Sequence, residues 1–544
     1  MAKICEIFKN NIIRKDSKRL YLYFEGYKVV ETVTYKEFGA RVQNFAGYLQ
    51  SIKSKGACAL ILLPSSINYI TAHVACLFTQ TISIPLYEVT EHNQIDDIKK
   101  IINNSEAEYI ITESRYVDDL KNWLGDMAEN LVFCMIDDFT AGSYTEEKID
   151  DDSIAYLQYT SGSTKSAKGV KISYKNIYAN CQIMSNHFKF TEDEVFATWL
   201  PFHFDLGLLG FAINTIFSGS SGCFTSANSF IKRPDSWLNA ISVYRGTIII
   251  APNFAYEMCS KLPEEILEKT DFSSVKSTVN GSELVRNRTL NSLADKLKKY
   301  GLKPETFNPS YGLAENTLVV SSHILETGYQ YVTLNDVKLR ENVIEYVDEG
   351  LVIVSCGVIC EGVTARIVGL VNNEVLGEDE IGEIWIAGDS LSQGYWNADE
   401  EEGFNSRLEG DNTAYFATGD LGFMHDKHLY IVGRKKDMVI IRGKNFYSQD
   451  IEELILNATK NVANTAVAFA INEEEEKLIV MVEVEDRFME KGEEIKDKIR
   501  TMISLNCKII PSDIVLKQVG ALARTDSGKV QRQICKKMYL NDKK

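Results

Sequence analysis

The segment YTSGSTKSAKGV, Tyr159 to Val170, concentrates residue types that can hold a polyphosphate. Thr160, Ser161, Ser163 and Thr164 bring hydroxyls, and Lys165 and Lys168 bring positive charge. Gly162 and Gly169 allow the backbone to approach an anion closely. The loop is not of the Walker type, which needs G-x4-G-K-[ST]. Counted from Gly162, the second glycine position holds Ala167, and Lys168 is followed by Gly169. An exposed Ser/Gly turn is the plain alternative. Other chemistries find less support. No Ser–His pair stands out among the seven histidines, and Cys356 and Cys360 form a lone C-x3-C without histidine ligands close by.

The elements that must position this loop alternate along the chain. SIAYLQ reads as a strand before it, and VKISYKNIYANCQIM as a short strand and then a helix after it. Upstream, Ala59 to Leu63 reads as a buried strand, Asn68 to Thr79 as a helix, Thr81 to Leu86 as a strand, Asp96 to Asn104 as a helix and Tyr109 to Thr112 as a strand. The pattern recurs at Thr247 to Ala251 and Val275 to Val279. This is α/β architecture with parallel sheets. Near Ile353 the strands shorten, as in GEIWIAG and HLYIVG, which points to a β-rich subdomain. After GRKKD, Gly433 to Asp437, a smaller α+β unit begins, with a helix from Gln449, strands AVAFAI and KLIVMVEVE, and a helix from Glu493. Glu473 to Glu476 reads as a solvated turn between those strands. The predicted division is a large domain over 1–433 and a small one over 434–544.

With 544 residues, two or three domains are expected. The formal net charge of −17 argues against nucleic acid as a partner. Eleven cysteines without a CxxC pair read as reduced, mostly core thiols of a cytoplasmic protein. The N-terminal segment lacks the apolar core of a signal peptide, and no run reaches the ~18 apolar residues that span a bilayer.

The loop resembles the phosphate loop of the adenylate-forming superfamily. WLPFHFDLGLLG (Trp199 to Gly210), NGSE (Asn280 to Glu283), PSYGLAENT (Pro309 to Thr317), ATGDLG (Ala417 to Gly422), GRKKDMVIIRGKNFYSQDIE (Gly433 to Glu452) and RTDSGKVQR (Arg524 to Arg532) follow in the family's order. The likeness runs from near Thr34 to Arg532. Within the superfamily, VNGSELVR, FNPSYGLAENTL and LVIVSCG resemble fatty acyl-AMP ligases most. Tyr331 to Gly350 resembles the insertion typical of those ligases, which is thought to hinder the arrangement used for CoA. An ordinary surface hairpin is the alternative.

The resemblance implies an ATP-dependent joining of a fatty acid carboxylate to the α-phosphate, followed by transfer to the phosphopantetheine thiol of a separate acyl carrier protein. Lys529 would be the catalytic lysine. Glu315 would hold Mg²⁺ together with the Thr164 hydroxyl and phosphate oxygens. Thr160, Ser161, Gly162, Ser163, Thr164 and Lys168 would bind the phosphates. Tyr311 would stack on adenine, with Ser310, Gly312 and Leu313 beside it. Gly281, Ser282 and Glu283 would line the adenine pocket through backbone contacts. Asp420 would accept hydrogen bonds from both ribose hydroxyls, Arg434 would reach the ribose or phosphates, and Lys436 would sit at the hinge of the small domain.

The sequence departs from the family at LPFHFDLG. A tyrosine–histidine pair is usual before the aspartate; here the positions hold His203 and Phe204, and phenylalanine offers no hydrogen bond. His203, Phe204, Asp205 and Gly207 are candidates for the entrance to the acyl pocket. Phe202, Leu208, Phe211, Phe254 and Phe307 are further candidates for its wall, or else core. The rival readings are an acyl-CoA ligase, a catalytically silent acyl- or nucleotide-binding protein, and a P-loop NTPase. The last is disfavoured by the failed Walker pattern.

Overall fold

The apolar run CALIL forms a fully buried strand, Cys58–Leu62, and the helix Ile67–Thr79 follows at once. Ser66 starts that helix by accepting the Tyr69 N–H at 3.2 Å, and Gln80 ends it in the left-handed conformation. The computed structural model describes residues 1–15, 17–159, 168–398, 403–441, 444–459, 462–472, 476–524 and 530–543.

Six strands make a first sheet in the order Val132–Met135, Tyr109–Thr112, Cys58–Leu62, Ile82–Leu86, Ile154–Tyr159 and Gly169–Ser173. All neighbours are parallel except the last pair, which is antiparallel and brackets the Gly-rich loop with Tyr159 opposite Gly169. The helix Tyr174–His187 leaves this hairpin through a reciprocal cap between Ser173 and Asn176. The Asn176 amide also donates to the Asp389 and Leu391 carbonyls, both at 2.8 Å. The hairpin is thereby tied to a distant stretch of chain.

The second sheet has fourteen strands and changes character halfway. Its parallel half contains Ser221–Thr225, Val195–Thr198, Ile248–Ala251 and Ser277–Asn280. The strand Phe307–Gly312 is the seam. Phe307 to Pro309 pair in parallel with Thr278 to Asn280, whereas Ser310 to Gly312 pair antiparallel with Val319–Ser322. Beyond it lie Leu351–Ile359, His428–Arg434, Phe416–His425, Gly382–Gly388 and Val363–Val368, all antiparallel. The β-rich part expected near Ile353 is therefore a continuation of the parallel sheet and not a separate one.

Residues 331–350 open with a strand, Tyr331–Leu334, paired antiparallel to Leu351 to Val354, and a short helix, Asp336–Leu339. Leu334 and Leu339 enter a core with Ile353, Phe423, Tyr430 and Tyr447. From Ser448 the chain builds a three-stranded sheet, Ala463–Asn472, Glu476–Val484 and Asp513–Gln518, covered by helices Ser448–Ala458, Gly492–Cys507 and Arg532–Asp542. Residues 473–475 of the acidic run lie outside the described residues; Asn472 and Glu476 on either side pair across an antiparallel ladder. All eleven cysteines are free and buried, and burial pushes each thiol pKa up, so they stay protonated and inert. Among the described residues, no helix is long and apolar enough to cross a membrane.

Candidate active site

The seam sets the geometry of the site. Where the strand Phe307–Gly312 changes partners, the Tyr311 hydroxyl donates to Asp420 Oδ2 at 2.6 Å, and Arg434 Nε donates to Asp420 Oδ1 at 2.8 Å. Asp420 and Arg434 face each other across the ladder of Phe416–His425 and His428–Arg434, so the sheet itself fixes the pair. Asp420 is 4% exposed. Its charge raises the Arg434 pKa, and burial, reinforced by Asp420, lifts the Tyr311 phenol well above its ordinary value. Both carboxylate oxygens thus have protein donors already. Each keeps a further lone-pair direction in which a ribose hydroxyl can approach.

The motif YGLAENT folds as a tight turn for steric reasons. A Cβ on Gly312 would lie 2.1 Å from the Leu318 carbonyl oxygen. Leu313 donates to that carbonyl at 2.9 Å, and Thr317 takes a positive φ of 67°. Asn316 and Thr317 bond Val319 and Ser390. The turn presents Glu315, whose Oε1 accepts the Tyr395 hydroxyl at 2.7 Å while its carbonyl accepts the Ser392 N–H at 2.8 Å. Lys168 lies 5.2 Å from the centre of the Tyr395 ring. The segment around Tyr395 also bonds the loop hairpin, through Trp396 N–H to Gly169 and Lys171 N–H to Gly394. Lys168, Tyr395 and Glu315 therefore converge at the exit of the Gly-rich loop. Thr160, Ser161, Gly162, Ser163, Thr164 and Lys529 lie outside the described residues.

Gly281 and Ser282 follow the strand Ser277–Asn280, and Ser282 has a φ of 69°. The Glu283 carboxylate accepts the Phe254 N–H at 2.6 Å at the start of the helix Asn253–Ser260. The Ser310 hydroxyl pairs with Ser322 at 2.7 Å.

Beside these residues lies a cavity of about 60 Å³. Gly281, Ser282, Tyr311, Gly312 and Asp205 line it together with Ile248, Ile250, Met184, Phe188 and Phe190. LGLLGFAI, which flanks it, is a π-helix, Leu206–Ile213, begun by Asp205 accepting the Leu206 N–H at 2.7 Å. Of the acyl-entrance candidates, Asp205 lines the cavity. Gly207 instead packs on the Pro201 carbonyl, where a Cβ would stand 2.2 Å from the oxygen. His203 is half-buried between Tyr87, 5.5 Å away, and Phe204, 4.3 Å away, and burial lowers its pKa to about 3. Phe202, Phe211 and Phe224 pack on one another in the core, with Phe202 and Phe211 stacked at 6.0 Å.

Around the Lys529 segment, its two flanking arginines are anchored. Arg524 Nη2 bonds Glu483 Oε2 at 2.5 Å, and Glu483 is fully buried. Arg532 takes both oxygens of Glu452, at 2.8 and 2.9 Å, and bonds Asp437 at 2.8 Å, directly after Lys436. Sequence reasoning passed over Tyr395, Arg524 and Arg532. The arginines carried a signal, since they close both ends of RTDSGKVQR. Tyr395 carried none, being eighty residues from Glu315. Among the described residues, no group of three or more His, Cys, Asp or Glu side chains is gathered to hold a metal.

The seam thus places a hydrogen-bonded carboxylate, Asp420, and an apolar cavity around one shared residue, Tyr311. Comparison with known proteins gives the family. The model for AMP-binding enzymes matches residues 11–396. The medium-chain-fatty-acid–[acyl-carrier-protein] ligase JamA of Moorena producens (strain JHB) is 32% identical, over 97% of this chain and 93% of its own. A fatty acyl-adenylate ligase of L. pneumophila, solved with acyl adenylate and pyrophosphate, is 30% identical with a TM-score of 0.78, covering 99% of this chain and 96% of its own. A structure from studies of fatty acyl-adenylate ligases of E. coli and L. pneumophila reaches a TM-score of 0.92 at 26% identity, covering 100% and 98%. The chain belongs to the AMP-binding enzyme family and has the adenylate-forming fold. It is an adenylate-forming ligase of the fatty acyl-AMP kind.

Proposed function

We propose that this enzyme uses ATP to convert a fatty acid into its acyl-adenylate and then loads the acyl group on a separate acyl carrier protein. The observation that carries the reading is the shared wall: Tyr311, Gly312, Gly281 and Ser282, expected around adenine, also line the apolar cavity. An acid lying in that cavity presents its carboxylate where the α-phosphate of a bound nucleotide is reached.

The carboxylate is already ionised at neutral pH and needs no base. Its oxygen attacks the α-phosphorus; the bond from that phosphorus to the bridging oxygen breaks, and pyrophosphate leaves with the electron pair. An anion must approach a polyanion, so positioning and electrostatics carry the catalysis. Lys529 neutralises charge between carboxylate and α-phosphate. Lys168, the hydroxyls of Thr160, Ser161, Ser163 and Thr164 and the backbone of Gly162 hold the outer phosphates, and Asp420 and Arg434 hold the ribose side. Glu315, a hard oxygen donor, fits Mg²⁺ with Thr164 as a second ligand; when bound, the ion supplies charge neutralisation on the phosphates.

In the second step the phosphopantetheine thiol attacks the acyl carbonyl, loses its proton, and AMP departs. The small domain, 434–544, rotates about Lys436 between the steps. A cavity of about 640 Å³ between the helix Asn287–Leu297, residues 331–350 and the helix Ser448–Ala458 supports a separable contact. Polar links span it, Arg288 to Asn457 at 2.8 Å and Arg286 to Glu453 at 3.9 Å. Eleven free thiols suit a reducing compartment, the cytoplasm. The test is incubation with ATP, Mg²⁺ and fatty acids, with a carrier protein or CoA, and mass spectrometry of the products. Acyl-adenylate that passes to the carrier and persists with CoA supports the reading; acyl-CoA as the product makes the enzyme a CoA ligase.

A further inference from the structure

We propose that Phe188 and Phe190 close the far end of the acyl cavity and make this enzyme favour medium-chain over long-chain acids. The inference rests on the reading of the chain as a fatty acid-activating ligase and adds the substrate class.

The direction of the cavity follows from the sheet. Ile248 pairs with Ser277, and Asn280 ends the same ladder beside Gly281. The polar end of the cavity is the backbone of Gly281 and Gly312 with Ser282, Tyr311 and Asp205; its deep end is Ile248, Met184, Phe188 and Phe190. A carboxylate belongs at the first end and a methyl terminus at the second.

At about 60 Å³ the cavity is small for a long acyl tail while the phenylalanine stack stays in place.

The floor is built to stay shut. Phe188 and Phe190 stack with centroids 5.5 Å apart and planes 12° from parallel. Phe190 meets the buried Phe196 edge-on at 4.9 Å. His187 meets Phe188 edge-on at 5.1 Å and is itself bonded to the His323 carbonyl at 3.0 Å. A longer chain has to break this stack. Gly210 keeps the middle open: a Cβ there would lie 3.1 Å from Leu206 Cδ1 and 3.4 Å from Leu318 Cδ2, both of them cavity walls.

The test is a competition. The full-length enzyme receives ATP, Mg²⁺ and equal concentrations of straight-chain acids from butyrate to stearate, and each acyl-adenylate is quantified by mass spectrometry. Hexanoyl- and octanoyl-adenylate are expected to exceed palmitoyl-adenylate at least ~10-fold. Palmitoyl-adenylate equal to or above them overturns the length limit and leaves the ligase reading standing. Absence of any acyl-adenylate overturns the ligase reading and the limit with it. Phe190→Ala is expected to move the optimum to longer acids, and an unmoved optimum overturns the floor assignment. Gly210→Val, which keeps the floor intact, is expected to lower the octanoate-to-butyrate ratio at least ~10-fold; an unchanged ratio overturns the placement of the acyl chain in this cavity.

Discussion

The Tyr311 hydroxyl meets the Asp420 carboxylate at 2.6 Å, joining the seam strand to the antiparallel half of the large sheet. Arg434 completes the cluster from the neighbouring strand. Asp420→Ala leaves the part-buried Tyr311 hydroxyl without its acceptor, at a cost of about 1 kcal/mol, releases the half-exposed Arg434 guanidinium and removes the proposed ribose acceptor. The KM for ATP is expected to rise about 10–100-fold in initial-rate measurements. An unchanged KM would take the ribose role away from Asp420.

Arg532 links Asp437, next to the hinge position Lys436, with Glu452 on the first helix of the small unit. Its side chain is 18% exposed. Arg532→Met leaves Glu452 buried without its counter-charge, and breaking such a pair costs about 3–5 kcal/mol. Urea unfolding is expected to begin at lower denaturant, with acyl-adenylate formation falling while the KM for ATP holds. Unaltered unfolding would show that the pair adds nothing to the small unit.

Arg340 links residues 331–350 with the small unit. It donates to the Asn506 carbonyl at 2.8 Å, lies 5.2 Å from the Phe446 ring centre, and accepts the Asn445 N–H at 3.1 Å through its own carbonyl. If this contact restrains the arrangement needed for CoA, Arg340→Ala raises acyl-CoA formation several-fold and leaves acyl-adenylate formation within about two-fold, since no ATP-site group is touched. A parallel measurement of both products decides it; no gain in acyl-CoA removes the acceptor role from Arg340.

Asp450, on the helix Ser448–Ala458, faces the interdomain cavity. Burial, with Glu453, Glu452 and Asp336 adding to it against Arg340, pushes its carboxyl up to about 7. The unfolded value is about 3.9, so the folded state holds a proton that the unfolded state releases. Stability therefore falls as pH rises from about 4 to 7. Asp450→Asn is expected to melt several degrees higher than the parent at pH 8 and alongside it at pH 4. Equal melting temperatures at both would place Asp450 in an ordinary aqueous environment.

The parts of this molecule that were legible in the sequence are those governed by local rules. Tyr109–Thr112 is a strand with the bounds its apolar run implies, and the helix read over Asn68 to Thr79 runs Ile67–Thr79. What was not legible depends on long-range pairing. The continuity of the two sheet halves lies in one strand whose ends take different partners. The run LGLLGFAI is apolar on every side, so it has no period from which a π-helix can be told from an α-helix. The wall of the cavity beside Tyr311 comes from a helix exit and two neighbouring strands, whose isoleucines and phenylalanines are of the same residue types as the core.

The most direct test is acid-dependent pyrophosphate release by the parent enzyme and by Lys529→Ala, with ATP, Mg²⁺ and octanoate and with acyl-adenylate identified in the same tubes. The account predicts release only when the acid is present, matched by octanoyl-adenylate, and a ~10²–10³-fold loss in folded Lys529→Ala. Pyrophosphate or phosphate release that ignores the acid, or full activity in Lys529→Ala, would contradict it.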